Sequence, residues 1–145
     1  MIDQAKKKAL IEYIKQRQAS GHIEILLSPE FYFDGYDDDH CTICANNRET
    51  ISTSRFAERL RRIQKQADVL AVFVRFYDYS DAEAFEDAWI GSDSIYIVTK
   101  AGLEDVREWF SDFEVSDVWV EHDLAKFDGP PNLQDGYHPY AVWWD

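Results

Sequence analysis

Val69-Leu70-Ala71-Val72-Phe73-Val74-Arg75-Phe76-Tyr77 reads as the strongest strand in the chain, and the fold is read outward from it. Successive side chains of a strand alternate between faces. Val69, Ala71 and Phe73 therefore share one side, and Leu70, Val72, Val74 and Phe76 share the other. Both sides are apolar, which predicts a central strand covered on both faces. Downstream, residues 79–92 form an acidic connection with one helical turn near 82–87, and Ser94–Thr99 reads as another strand. Leu103, Val106, Phe110 and Phe113 make one stripe of a helix over 103–113. A short strand follows at 118–121, then a loop over 123–136 broken by Gly129-Pro130-Pro131 and Asp135-Gly136, then a closing strand at 140–144.

Upstream, residues 3–19 read as an amphipathic helix stopped by Gly21. His22–Leu27 alternates as a strand, and Ser28-Pro29 caps a short helical turn anchored by Phe31 and Phe33. Cys41–Ala45 reads as a strand, and Thr53 or Ser54 caps a helix to about residue 67. That helix buries Phe56, Leu60 and Ile63 and keeps Arg55, Arg59, Arg62 and Lys65 in water. The fold class is α+β: a mainly antiparallel sheet with helices on one face, in one domain spanning 1–145. Its middle section runs β-α-β-β-α-β, the order of a ferredoxin-like split βαβ core, with an extra N-terminal helix and C-terminal strand.

The 145 residues carry a formal net charge of −13. Hydrophobic residues make up 46% of the chain, so it can build an ordinary core and is not of the disordered class. Residues 1–65 hold 11 Lys and Arg against 10 Asp and Glu, a net +1; residues 66–145 hold 4 against 18, a net −14. That imbalance opposes binding to nucleic acid, where cations must displace counterions, and to anionic membranes. It favours a basic protein partner. The first residues run into an amphipathic segment, not an apolar signal region, and two cysteines make no disulfide framework, so a cytoplasmic location is expected.

The chemistry-bearing clusters are few. Cys41-Thr42-Ile43-Cys44 supplies half a zinc site or a redox pair, but in a strand its thiols read as inert. Asp34, Asp37, Asp38 and Asp39 crowd one turn without the spacing of an EF-hand, and read as solvated or partner-facing acids rather than a metal site. Trp143 and Trp144 are neighbours in the last strand, so one ring must point to each face. Glycine-rich phosphate loops, nucleophile elbows and H-E-x-x-H are missing from the sequence, and no cofactor is expected.

Phe31-Tyr32-Phe33-Asp34-Gly35-Tyr36-Asp37-Asp38, then Cys41–Asn46, and later Ser94–Thr99 with Val106-Arg107-Glu108-Trp109, resemble a pattern in small acidic bacterial domains of unknown function. The resemblance implies something like the immunity proteins that sit beside bacterial toxins. The expected function is a non-enzymatic acidic protein-binding domain, with Asp34, Asp37, Asp38, Asp39, Trp119, Trp143 and Trp144 as partner-binding residues. The alternatives are a small-molecule enzyme or enzyme subunit with a scattered active site, and a homodimeric structural or regulatory module.

Overall fold

The computed structural model describes residues 1–122 and 135–145. The breakers at Gly129-Pro130-Pro131, and with them the expected loop, lie outside the described residues apart from 135–136. Helix α1 spans Gln4–Ala19, with Asp3 accepting from the N–H groups of Ala5 and Lys6 at its start. Strand β1 is Leu26–Leu27 and α2 is Pro29–Phe33, capped by the Ser28 hydroxyl. A 3-10 turn follows at Thr42–Cys44, then α3 at Thr53–Gln64, capped by Ser52. The chain continues through β2 (Val69–Arg75), α4 (Ser80–Ala84), β3 (Ser94–Thr99), α5 (Leu103–Trp109), β4 (Asp117–Val120) and β5 (His138–Trp143).

The five strands form one antiparallel sheet in the order β1-β2-β3-β5-β4. Strands β3 and β4 both run antiparallel to β5, which lies between them. The unit β3-α5-β4 is therefore a split βαβ, as the ferredoxin-like reading expects. The strand that fills the split is His138–Trp143, not residues 41–45, which make a 3-10 turn instead. Cys44 and Ile43 are buried there by the turn, so the strand pattern had a different cause.

Helices α1, α3 and α5 cover one face of the sheet. Leu10, Ile11 and Ile14, Phe56, Leu60 and Ile63, and Val106 and Phe110 meet Val72, Val74, Ile95, Ile97 and Val142 in the main core. The opposite face carries a smaller cluster of Leu26, Phe73, Tyr96 and Ala141. The strand buried on both faces is β3, not β2. Leu70, Ala71 and Phe73 of β2 stay partly open because, among the described residues, helices cover only one face and its outer neighbour is two residues long. The expected strand at 22–27 shrinks likewise: Ile23 is 90% exposed. In α2 it is Tyr32 that is fully buried, its hydroxyl donating to Ile90 O at 2.6 Å, while Phe31 and Phe33 pack beside it.

Two ionic contacts tie the layers together. Lys7, buried on α1, donates to the carbonyl oxygens of Phe85 (2.9 Å), Glu86 (3.4 Å) and Ala88 (3.0 Å), and so pins the segment after α4. Lys7→Met will strip a charged donor from three carbonyls. The expected cost is about 2 kcal/mol, in the range of hydrogen bonds to charged groups, with faster amide exchange confined to residues 84–90. A change in the denaturation midpoint with no local exchange effect would show that the pin does not hold that segment.

On the other side, Arg59 of α3 makes two hydrogen bonds to Asp112 (2.7 and 2.8 Å) and lies 4.2 Å from the Phe113 ring. Arg59 is thus largely covered, not in water. Hydrogen bonding and charge from Arg59, aided by Arg55, hold the Asp112 carboxyl at about 2, below its ordinary 3.8. The folded value is the lower one, so this contribution is fully present above pH 4 and is lost as pH falls toward 2. Asp112 is half exposed, and screening limits the effect to about 1 kcal/mol. Asp112→Asn should lower stability by that amount at pH 7, and the difference from wild type should vanish in denaturation curves near pH 2.

Candidate functional site

The turn after α2 is built against the start of α1. Asp3 N–H donates to Gly35 O at 2.8 Å, and Ile2 pairs with Tyr36. Gly35 has φ +85°, and a Cβ there would lie 2.9 Å from both Asp3 Cβ and Lys6 Cβ. Only glycine fits such a close approach. The second wall comes from the segment between β2 and β3, where Asp78 and Gly91 pair as an antiparallel bridge. A Cβ at Gly91 would meet Asp78 O at 3.0 Å. These two approaches bring residues 37–40 and 78–91 side by side.

Two adjoining hollows result. One, of about 490 Å³, is lined by Met1, Ile2, Gln4, Asp37, Asp38, Asp39, Glu86 and Asp87. The other, of about 440 Å³, shares Asp38 and Asp87 and adds Asp78, Asp81, His40, Tyr77 and Trp89 among its walls. Seven carboxylates thus border one continuous surface, and neither hollow has a lysine or arginine in its lining. The Met1 ammonium lies 3.9 Å from Asp37. The hydroxyl and N–H of Ser80 hold the Asp78 carboxyl below its ordinary range. The floor is aromatic: the Tyr36 and Trp89 rings stack at 4.9 Å. Burial pushes the Tyr36 phenol well up, so it stays protonated; it accepts from Thr42 N–H at 2.9 Å. Tyr77 stands 64% exposed at the rim.

The sequence-expected residues divide among three places. Asp37, Asp38 and Asp39 line the acidic surface, although Asp38 also serves the fold: its carboxylate accepts from His40 N–H and its carbonyl from Thr53. Asp34 is apart, in an ion pair with Lys6 at 2.6 Å. Trp119 and Trp143 lie on the sheet face opposite α1, α3 and α5, beside Tyr96, Arg75, Asp117 and Glu121, while Trp144 is buried in the main core. Trp143 and Trp144 therefore point to opposite faces. Asp78, Asp81, Glu86, Asp87 and Tyr77 complete the surface and were legible only as an acidic connection and a strand end. Among the described residues, no group of three or more His, Cys, Asp or Glu is arranged to hold a metal ion. His40 Nε2 lies 3.0 Å from the Ala45 carbonyl, which can only accept.

The molecule is thus an antiparallel α+β protein with an acidic, aromatic-floored surface on its helical side. The family model described as "Uncharacterized protein YfbO family" matches residues 5–142, and the chain belongs to that family. It is 25% identical over 122 residues to "Uncharacterized protein YfbO" of Escherichia coli (strain K12), covering 83% of this chain and 82% of that protein. No solved structure matches. No helix among the described residues is long and apolar enough to cross a membrane.

Proposed function

We propose that the chain is a non-enzymatic binding protein that docks a basic protein on this acidic surface. The observation that carries the reading is the junction of the two hollows at Asp38 and Asp87, with seven carboxylates and no lysine or arginine in the walls. Clustered charge of one sign steers a complementary partner and raises its association rate. Exposed Tyr77 supplies an aromatic anchor of the kind that dominates interface energies. Three arginines of α3 are engaged away from this surface: Arg55 and Arg59 face Asp112, and Arg61 faces Glu58. A partner whose own cations hold phosphate, such as a nuclease toxin, matches this chemistry, and an immunity-type role follows from it. A cytoplasmic location fits two free cysteines.

The test is affinity capture from the native host in parallel with wild-type protein and the triple variant Asp39→Lys, Glu86→Lys, Asp87→Lys. The expected result is a strongly basic protein held by wild type, released by salt, and missing from the variant capture. Partners that bind both baits equally, or that carry no excess of lysine and arginine, would overturn the reading.

A further inference from the structure

The replacement of an expected strand by a 3-10 turn at residues 42–44 changes what the two cysteines can do. In an extended strand, positions 41 and 44 would stand about 10 Å apart and point to opposite faces. Cys41 instead caps the turn, and the bond from Cys44 N–H to Cys41 O closes a four-residue turn, which holds its first and fourth Cα atoms less than about 7 Å apart. That lies inside the span a disulfide bridges. The turn is closed by Cys44 N–H donating to Cys41 O at 3.3 Å and by Ala45 N–H donating to Thr42 O at 3.3 Å. Cys44 Sγ donates to Cys41 O at 3.8 Å, so the Cys44 thiol is turned back toward residue 41. Both cysteines are buried and free, yet the turn lies one residue below solvent, with His40 and Ala45 exposed on either side.

We infer that Cys41 and Cys44 form a dithiol–disulfide couple, a modification site for a small peroxide oxidant. The thiolate is the nucleophilic form of cysteine. The thiolate of one cysteine of the pair attacks one oxygen of the peroxide, the O–O bond breaks, and the departing hydroxide takes the proton of the second thiol to leave as water. The first cysteine is then a sulfenic acid. The second thiolate attacks its sulfur, the S–S bond forms and the S–O bond breaks. The second hydroxide takes up the proton that the first cysteine gave up at the start. Two thiols lose two electrons, and hydrogen peroxide becomes two waters.

The full-length protein, treated with stoichiometric hydrogen peroxide, should become lighter by two hydrogens in intact mass. Its alkylatable thiols after denaturation should fall from two to none, and dithiothreitol should restore both. Peptide mapping should place the bridge between Cys41 and Cys44. Neither Cys41→Ser nor Cys44→Ser should form a bridge within the chain, and dimedone should trap a sulfenic acid in at least one of the two variants. Retention of both thiols under peroxide that oxidises free cysteine would overturn the couple, as would accumulation of sulfinic acid without a bridge.

Discussion

Trp144→Ala will destabilise the protein by about 3–5 kcal/mol, the range for deleting a large buried aromatic. Trp144 is 2% exposed, although it follows the last residue of β5. Its ring meets Phe56 at 5.3 Å and Phe110 at 5.6 Å, both in edge-on contacts. Its indole N–H donates to Phe113 O at 2.8 Å. The backbone is held as well: Trp144 N–H donates to Asp93 O at 3.0 Å, and Asp145 N–H to Ser116 Oγ at 2.8 Å. One side chain thus joins α3, α5 and the sheet, and its removal leaves a cavity that these elements cannot all close. Trp144→Phe keeps most of the ring contact and loses the hydrogen bond, for a cost of about 1–2 kcal/mol. Trp143→Ala, on the other face and only partly buried, will cost less than Trp144→Ala. The measurement is the urea midpoint of the three variants. A Trp144→Ala cost near that of Trp143→Ala would mean that the core does not depend on this ring.

That contrast shows where the sequence was informative. Alternation along a strand forces Trp143 and Trp144 to opposite faces, and nothing more is needed to know it. The periodic elements were legible for the same reason: the apolar stripe of α3 and the six residues of β3 follow from spacing alone, whereas the helix expected over 103–113 ends at Trp109 and leaves Phe110 and Phe113 buried in the turn beyond it. Periodicity failed at Cys41–Ala45, because a short apolar run looks the same whether it pleats in a sheet or curls beneath a helix. There the backbone of Cys41 bonds to Ile51 O at 2.7 Å rather than to a sheet neighbour. It failed again in ranking β2 above β3, since apolar composition does not say which strand acquires full-length neighbours on both sides. The acidic surface was half legible. The charges of 37–39 and 78–87 are plain in the sequence, but their meeting depends on Gly35 and Gly91 allowing two close backbone approaches, which no local pattern announces.

The meeting of those segments governs the second large effect. Asp39, Glu86 and Asp87 are exposed, and their side chains are in no ion pair among the described residues. Converting all three to lysine changes the local charge by six units while leaving the fold close to its original stability, as is usual for surface substitutions. For the captured basic partner, the association rate should fall by about 10–100-fold at low salt. The dissociation rate should change less, because long-range steering acts before contact. A matched control separates local from net charge: Glu30→Lys, Glu108→Lys and Asp117→Lys alter the total equally but line neither hollow. At physiological ionic strength the Debye length is about 8 Å, so charges away from the docking surface are largely screened. The control should therefore associate within about threefold of wild type under those conditions. Equal losses in the two triple variants would mean that total charge, and not the surface joined at Asp38 and Asp87, draws the partner in.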